Sequence, residues 1–156
     1  MVPSKLVSQI EDHWDNIARR AVRRIRACTQ LPHLQQMPES EIHQVGQRIL
    51  HNLSHWLLSA PEKEIAERYQ EIGRHRCHDG MPLHEAVRAQ QLMRESTIDY
   101  LREHELTTNT VEMRAENELE NELARFFDLM TFHLVRGYEE ELRRSAHAHA
   151  NHAHAR

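Results

Sequence analysis

Glycine and proline are scarce in this sequence of 156 residues, which contains four glycines and five prolines. Turns between strands depend on these two residue types, and aromatic residues, which favour strands, make up only 5% of the sequence. These shortages exclude a fold of many strands. Because the length allows one domain with a hydrophobic core, the sequence predicts a single all-α domain.

Several functional classes lack their sequence signatures. The two cysteines, Cys28 and Cys77, form no Cys-x-x-Cys pair and are too few for a disulfide framework. No apolar run approaches the ~20 residues of a membrane span, and the first residues lack the apolar core of a secretory signal. The sequence has no phosphate-binding loop, nucleophile elbow, His-Glu-x-x-His motif or paired Glu-x-x-His motif. We therefore expect a cytoplasmic protein that is not an enzyme and has no membrane contact.

Apolar residues recur at helical spacing in five segments, which end near prolines, at a glycine turn or at a polar cluster. Each segment has one apolar face, so the five faces must be buried against one another. The sequence predicts a five-helix bundle or a globin-like, non-haem packing over residues 4–144. The segments span about 4–29, 39–59, 61–79, 82–104 and 111–144.

The fifth segment has a wide apolar face. Phe126, Phe127 and Met130 lie on adjacent sides of a helix, and one neighbouring helix would not cover them all. We expect a homodimer that uses this segment, alone or with the first.

A run of five arginines gives the first segment a basic face. Acidic residues of the fifth segment form a counterpart, which predicts packing or dimer steering between the two. Because the formal net charge of the chain is −4, we expect no nucleic-acid partner. The arginines are Arg19, Arg20, Arg23, Arg24 and Arg26, and the acidic residues are Glu116, Glu118, Glu120 and Glu122.

The hairpin between the third and fourth segments carries the most specific pattern in the chain. It consists of Tyr69, Gly73, Arg76, Gly80 and Arg94, with apolar residues at Leu83, Val87 and Leu92. This pattern resembles the N-terminal domain of the RsbT co-antagonist (RsbR-type) proteins of bacterial stress signalling, which also precedes some histidine kinases. Weaker similarity extends over roughly residues 5–142.

The resemblance implies an all-helical sensory or regulatory module that dimerises and passes a signal to an attached output domain. In some members such a domain has a globin packing without haem. After Leu142 the sequence continues only as a His-rich segment. Two alternatives follow from this: a stand-alone member that binds another, unknown signalling protein, or a chain whose output domain was lost or truncated.

Three residues of the hairpin have simple structural interpretations. Gly73 allows close contact between helices, and Gly80 fits a left-handed helix end. Arg94 shares a stripe with Leu83 and Val87, so we expect it to point towards the interior. There it would pair with a carboxylate such as Glu71 or Asp79, or bind an anionic ligand.

Histidine is abundant, with 14 residues, and four of these lie in the segment 145–156. For this segment we expect a flexible, disordered tail. Imidazole is a good ligand for nickel, copper and zinc, so a tail wrapped around one ion is the alternative functional hypothesis, against a tail with no metal role. Its ligands would be His147, His149, His152 and His154.

No other cofactor is expected. His75, Cys77 and His78 diverge around a helix, so they do not converge on one metal ion. Haem would need His51, His55 or His84 as its axial ligand, and the few aromatic residues offer no clear haem pocket.

Overall fold

The computed structural model describes residues 4–104 and 110–154, except for the side chains at 110, 112, 153 and 154. Within these ranges the chain is all-helical, as predicted, with seven α-helices, one π-helical turn and no strand. No helix there is long and apolar enough to cross a membrane. The α-helices are α1 Ser4–Asp12, α2 Trp14–Ala27, α3 Pro32–Gln36, α4 Glu39–Leu50, α5 Glu62–His78, α6 Leu83–Glu103 and α7 Thr110–His154, and the π-helical turn is His55–Ser59.

The five predicted segments are subdivided, so the count of five helices is not confirmed. The first segment breaks at His13, whose backbone has φ −110° and ψ 19°, and the N–H of His13 is shared by the carbonyls of Gln9 and Ile10. The connector before α4 forms the short helix α3, and the second segment closes with the π-helical turn. The apolar spacing continues across His13, and no glycine or proline stands at the break. The sequence therefore contains no signal that the first segment forms two helices.

Helices α5 and α7 pack along each other over most of α5, and α2 packs against α4 and α6. Two glycines allow the first contact. A Cβ atom on Gly73 would lie 2.0 Å from the carbonyl oxygen of Leu134, and one on Gly137 would lie 2.0 Å from that of Gln70. The expectation of close helix contact at Gly73 is confirmed, and Gly137 provides the same fit from the opposite helix.

A buried carboxylate joins α6 to α3. The Glu85 side chain is fully buried near the start of α6, where it accepts hydrogen bonds from the backbone N–H groups of His33 and Leu34 at 3.3 and 3.1 Å. These N–H groups belong to the first turn of α3 and have no carbonyl within their own helix to bond. Glu85 therefore caps a helix that is distant in sequence.

Three of the five arginines in the first segment have partners in other helices, and these differ from the predicted glutamates of α7. Arg20 pairs with Glu103 and Arg24 with Asp99, both on α6. Arg26 donates hydrogen bonds to backbone carbonyls of the α3 region. On α7, Glu120 pairs with Arg102 and Glu122 with Arg125. The basic face of α2 thus helps to fasten α6 and α3.

Helix α7 is longer than predicted, because it continues through His154. The segment 145–156 therefore differs from the disordered tail that we expected, over all of its described residues. Alanines at alternate positions explain the helix, since alanine has the highest helix propensity of all residues. From Arg143 to His152 every side chain is exposed, and the twelve residues 143–154 extend the helix by about 18 Å.

The three residues on which the dimer prediction rested are all buried within the chain. Phe126, Phe127 and Met130 are at most 3% exposed and belong to the main core. Other apolar residues of α7 remain on the surface, among them Phe132 and Leu142 at 59% and 55% exposure. Any contact of α7 with a second copy must therefore use this other face.

Candidate functional site

An apolar cavity of about 70 Å³ lies among α4, α5 and α6. Most of its lining comes from α4, α5 and α6, and single residues come from three other helices: Ile25 of α2, Leu34 of α3 and Leu134 of α7. Trp56 of the π-helical turn lies at its edge. The apolar side chains that define its shape include Ile42, Val45, Ile72, Ala89 and Met93.

Three arginines line this cavity together with its apolar walls: Arg48 of α4, and Arg68 and Arg76 of α5. We call the whole site the arginine-rimmed cavity. Arg68, Ile72 and Arg76 follow one another at four-residue intervals, which places them on the same side of α5. None of the three guanidinium groups forms a salt bridge or a side-chain hydrogen bond with any residue that the structure describes.

The charges around Arg76 shift the pKa of its guanidinium group in opposite directions. Its partial burial lowers the pKa of the guanidinium, and the carboxylate of Asp79 acts in the opposite direction. The positive charge of Arg48 lowers this pKa further, and Glu41 raises it. Arg48 and Arg76 are thus close enough to repel each other, while the two carboxylates lie beyond salt-bridge distance. The cavity keeps an excess of positive charge.

The described cavity wall contains two buried polar residues, Gln90 and Tyr69, of which Tyr69 lies among aromatic rings. Its ring is 3% exposed and packs against the rings of Trp56 and Phe126, at centroid distances of 5.9 and 6.3 Å. Burial raises the pKa of the Tyr69 hydroxyl well above its usual range, so the group stays protonated at neutral pH. This hydroxyl forms no hydrogen bond with the described residues.

The structure brings together only part of the predicted hairpin motif. Tyr69 and Arg76 line the cavity, and Gly73 lies between them on α5, against the backbone of α7. Gly80 forms the turn after α5 with φ +78°, as its predicted role requires. The next residue, Met81, lines the cavity, and its carbonyl accepts a hydrogen bond from the Tyr138 hydroxyl at 2.6 Å.

Arg94 does not take the place that we expected. Its side chain is 36% exposed and pairs with Asp128 of α7 at 2.9 Å, rather than with Glu71 or Asp79 in the interior. A long arginine side chain can leave an apolar stripe and still carry its charge to the surface. Arg94 therefore links α6 to α7 and does not line the cavity.

The three predicted metal ligands whose side chains the structure describes lie outside any cluster of candidate ligands. Among the described residues no group of three or more His, Cys, Asp or Glu side chains is placed to hold a metal ion. His147, His149 and His152 are exposed on α7, and the His154 side chain lies outside the described residues. Residues two apart on a helix point about 200° away from each other, so helical His147 and His149 cannot wrap one ion together.

Sequence reasoning missed Arg48, Arg68 and Trp56. Arg48 and Arg68 are typical residues of solvated helix faces, and no motif marked them. Their role depends on the approach of α4 to α5. One contact helps to fix this region, because the Trp56 indole N–H donates a hydrogen bond to the Arg48 carbonyl at 3.3 Å.

The lining residues of the cavity also limit the chemistry that its described part can support. Its lining contains no serine, cysteine, histidine or carboxylate among the described residues, and so it offers no nucleophile with a general base. It combines apolar walls with unpaired positive charge, which is suited to binding.

Comparison with protein families identifies the family to which the chain is similar. The family described as the RsbT co-antagonist protein rsbRD N-terminal domain matches residues 15–153, which confirms the resemblance seen in the hairpin. The match runs past Leu142 and includes most of the His-rich segment. No curated protein and no solved structure matches the chain significantly.

Proposed function

The chain belongs to the family of the RsbT co-antagonist protein rsbRD N-terminal domain, and on that premise we propose a regulatory module that acts through protein–protein contacts and homodimerisation. The family is one of regulatory domains in bacterial stress signalling. We place the protein in the cytoplasm, without catalytic activity and with another signalling protein as its partner. The non-enzymatic role is supported by the described lining of the cavity, which offers no nucleophile together with a general base.

The proposed homodimer rests on an exposed apolar surface of α7 that is centred on Phe132. This side chain is 59% exposed, although large apolar residues are usually buried. Leu129 and Val135, three residues away on either side, are half-buried and extend the apolar surface. We call this strip, with its flanking charged residues 125, 128, 136 and 139, the Phe132 face.

The charges of the Phe132 face are self-complementary. Residues seven apart lie within about 20° of one line along a helix, so Arg125 and Glu139 flank Phe132 at about 10 Å on opposite sides. Asp128 and Arg136 flank it at about 6 Å. Each positive residue on one side is matched by a negative residue at the same distance on the other.

This symmetry favours an antiparallel pair of α7 helices. In a twofold dimer with Phe132 at the axis, Arg125 would face Glu139 of the second copy, and Asp128 would face Arg136. Within one chain Arg125 pairs with Glu122, Asp128 with Arg94 and Arg136 with Glu140, so the contacts of the dimer would extend these exposed ion pairs. Leu129 would face Val135. A parallel pair would place equal charges opposite each other, which is unfavourable. We therefore propose an antiparallel homodimer through the Phe132 face.

Exchange of charges tests this arrangement by sedimentation equilibrium. Arg125→Glu or Glu139→Arg alone should weaken the dimer, because each places like charges opposite each other. The double variant R125E/E139R should recover the wild-type dissociation constant. Phe132→Ser should weaken the dimer by about 30-fold or more, as expected for a central apolar anchor.

Leu58→Ser is the matched control, because Leu58 is also a large apolar residue at 50% exposure but lies in the π-helical turn. It should leave the dissociation constant unchanged. A monomer at all concentrations, or single and double charge variants that dissociate equally, would contradict the proposed dimer.

A further inference from the structure

We propose that the arginine-rimmed cavity binds a small amphipathic anion, with an apolar body among α4, α5 and α6 and one carboxylate or phosphate group at Arg48, Arg68 and Arg76. The bound anion would be the signal of the regulatory module, and only this role as a signal rests on the proposed function. Binding itself does not depend on the dimer.

The walls determine what kind of body the cavity accepts. Apart from the three arginines, Tyr69 and Gln90, every described lining residue is apolar. The volume of about 70 Å³ corresponds to roughly five to seven water-sized groups. A chain of about seven carbons or a single ring has this size. A nucleotide or a sugar does not fit, because its many polar groups would remain without hydrogen-bond partners.

The unpaired cations determine the charge of the ligand. Many other arginines of this protein have a carboxylate within 4 Å, as Arg20, Arg24 and Arg94 show. Two of the cavity arginines, Arg48 and Arg68, are exposed to solvent and Arg76 is half-buried. None of the three has a carboxylate within 4 Å among the described residues, and Arg48 and Arg76 repel each other. A bound anion would relieve this repulsion. Guanidinium groups suit the task because their planar N–H donors match carboxylate and phosphate oxygens.

Tyr69 adds a polar group to the cavity wall. The residue as a whole is 3% exposed, and its hydroxyl has no hydrogen-bond partner in the described part of the chain. The hydroxyl oxygen is not fully enclosed by the protein, so it can donate a hydrogen bond to a ligand oxygen. The hydroxyl remains a proton donor at neutral pH, which again suits an anionic oxygen.

Isothermal titration calorimetry with octanoate and octyl phosphate tests the proposal on the full chain. Both probes share the apolar tail, and the tighter of the two identifies the preferred head group. Affinity should rise by about fourfold per methylene from butanoate to octanoate, as long as the tail is buried. 1-Octanol, which lacks the charge, should bind at least about tenfold more weakly than octanoate.

Variants then locate the site. Arg76→Gln should weaken octanoate binding by roughly tenfold, because one charged hydrogen-bonding group is lost. Ala89→Phe should abolish binding by filling the cavity, and it keeps all three arginines. Arg143→Gln, on the exposed part of α7, is the matched control and should bind octanoate like the wild type. Far-UV circular dichroism checks that each variant is folded.

The proposal is overturned if octanol binds as tightly as octanoate, if neither probe binds at millimolar concentration, or if folded Arg76→Gln and Arg143→Gln bind equally well. Sedimentation of the same samples reports the dimer separately. If the wild type forms a dimer but binds neither probe, the ligand site is refuted and the proposed function stands. If it binds octanoate but is a monomer, the proposed dimer is refuted and the ligand site stands.

Discussion

Gly73→Ala should lower the free energy of unfolding by about 3 kcal/mol, and the melting temperature by about 6–12 °C. The added Cβ would lie 2.0 Å from the Leu134 carbonyl oxygen and 2.9 Å from the Tyr138 nitrogen, both of which are backbone atoms of α7. Backbone of a packed helix cannot move aside as a flexible side chain can, so α5 and α7 must separate. Urea denaturation followed by far-UV circular dichroism measures the change.

Two controls separate this steric effect from other effects of alanine. Glu71→Ala changes an exposed residue of the same helix and should alter stability by less than about 0.5 kcal/mol. Gly80→Ala meets no atom within 4 Å, but its φ of +78° strains any side chain, so a cost of about 1–2 kcal/mol is expected. If Gly73→Ala costs no more than Glu71→Ala, the close approach of α5 and α7 is not required for stability.

The helical class and the course of α5 and α6 could be predicted from the sequence because they depend on local signals. Apolar spacing, Pro61 and Pro82 at helix starts, and Gly80 at a helix end act within a few residues. The end of α7 could not be predicted in the same way. Alternation of histidine and alanine suggested low complexity, but the high helix propensity of alanine favours continuation of the preceding helix.

The candidate site depends on tertiary contacts, and so only part of it was visible in the sequence. Tyr69 and Arg76 belong to one helix and to one recognisable pattern. Arg48 belongs to α4, and only the packing of that helix beside α5 brings its charge close to Arg76. Arg94 was predicted in the sequence but does not belong to the site. Its position on an apolar stripe suggested the interior, yet its long side chain places the guanidinium group near the surface beside Asp128.

The two backbone hydrogen bonds to Glu85 are the basis of the second large prediction. Glu85→Ala should lower the free energy of unfolding by about 3 kcal/mol, since hydrogen bonds to a charged group contribute about 1.5–3 kcal/mol and the donors left behind are partly or fully buried. Glu85→Gln should cost less, because its amide oxygen still accepts from one N–H group while its amide nitrogen cannot accept from the other. Thermal and urea denaturation measure both variants.

Glu95→Ala is the matched control, because Glu95 lies on the same helix, is exposed and pairs with Arg88 at 3.5 Å. An exposed ion pair of this kind contributes about 0–1 kcal/mol. If Glu85→Ala were no more destabilising than Glu95→Ala, the cap on α3 would be dispensable. The predicted order of stability is wild type, then Glu95→Ala, Glu85→Gln and Glu85→Ala. This order follows from the number of N–H groups that each variant leaves without an acceptor, since Glu85 is the acceptor of both N–H groups among the described residues.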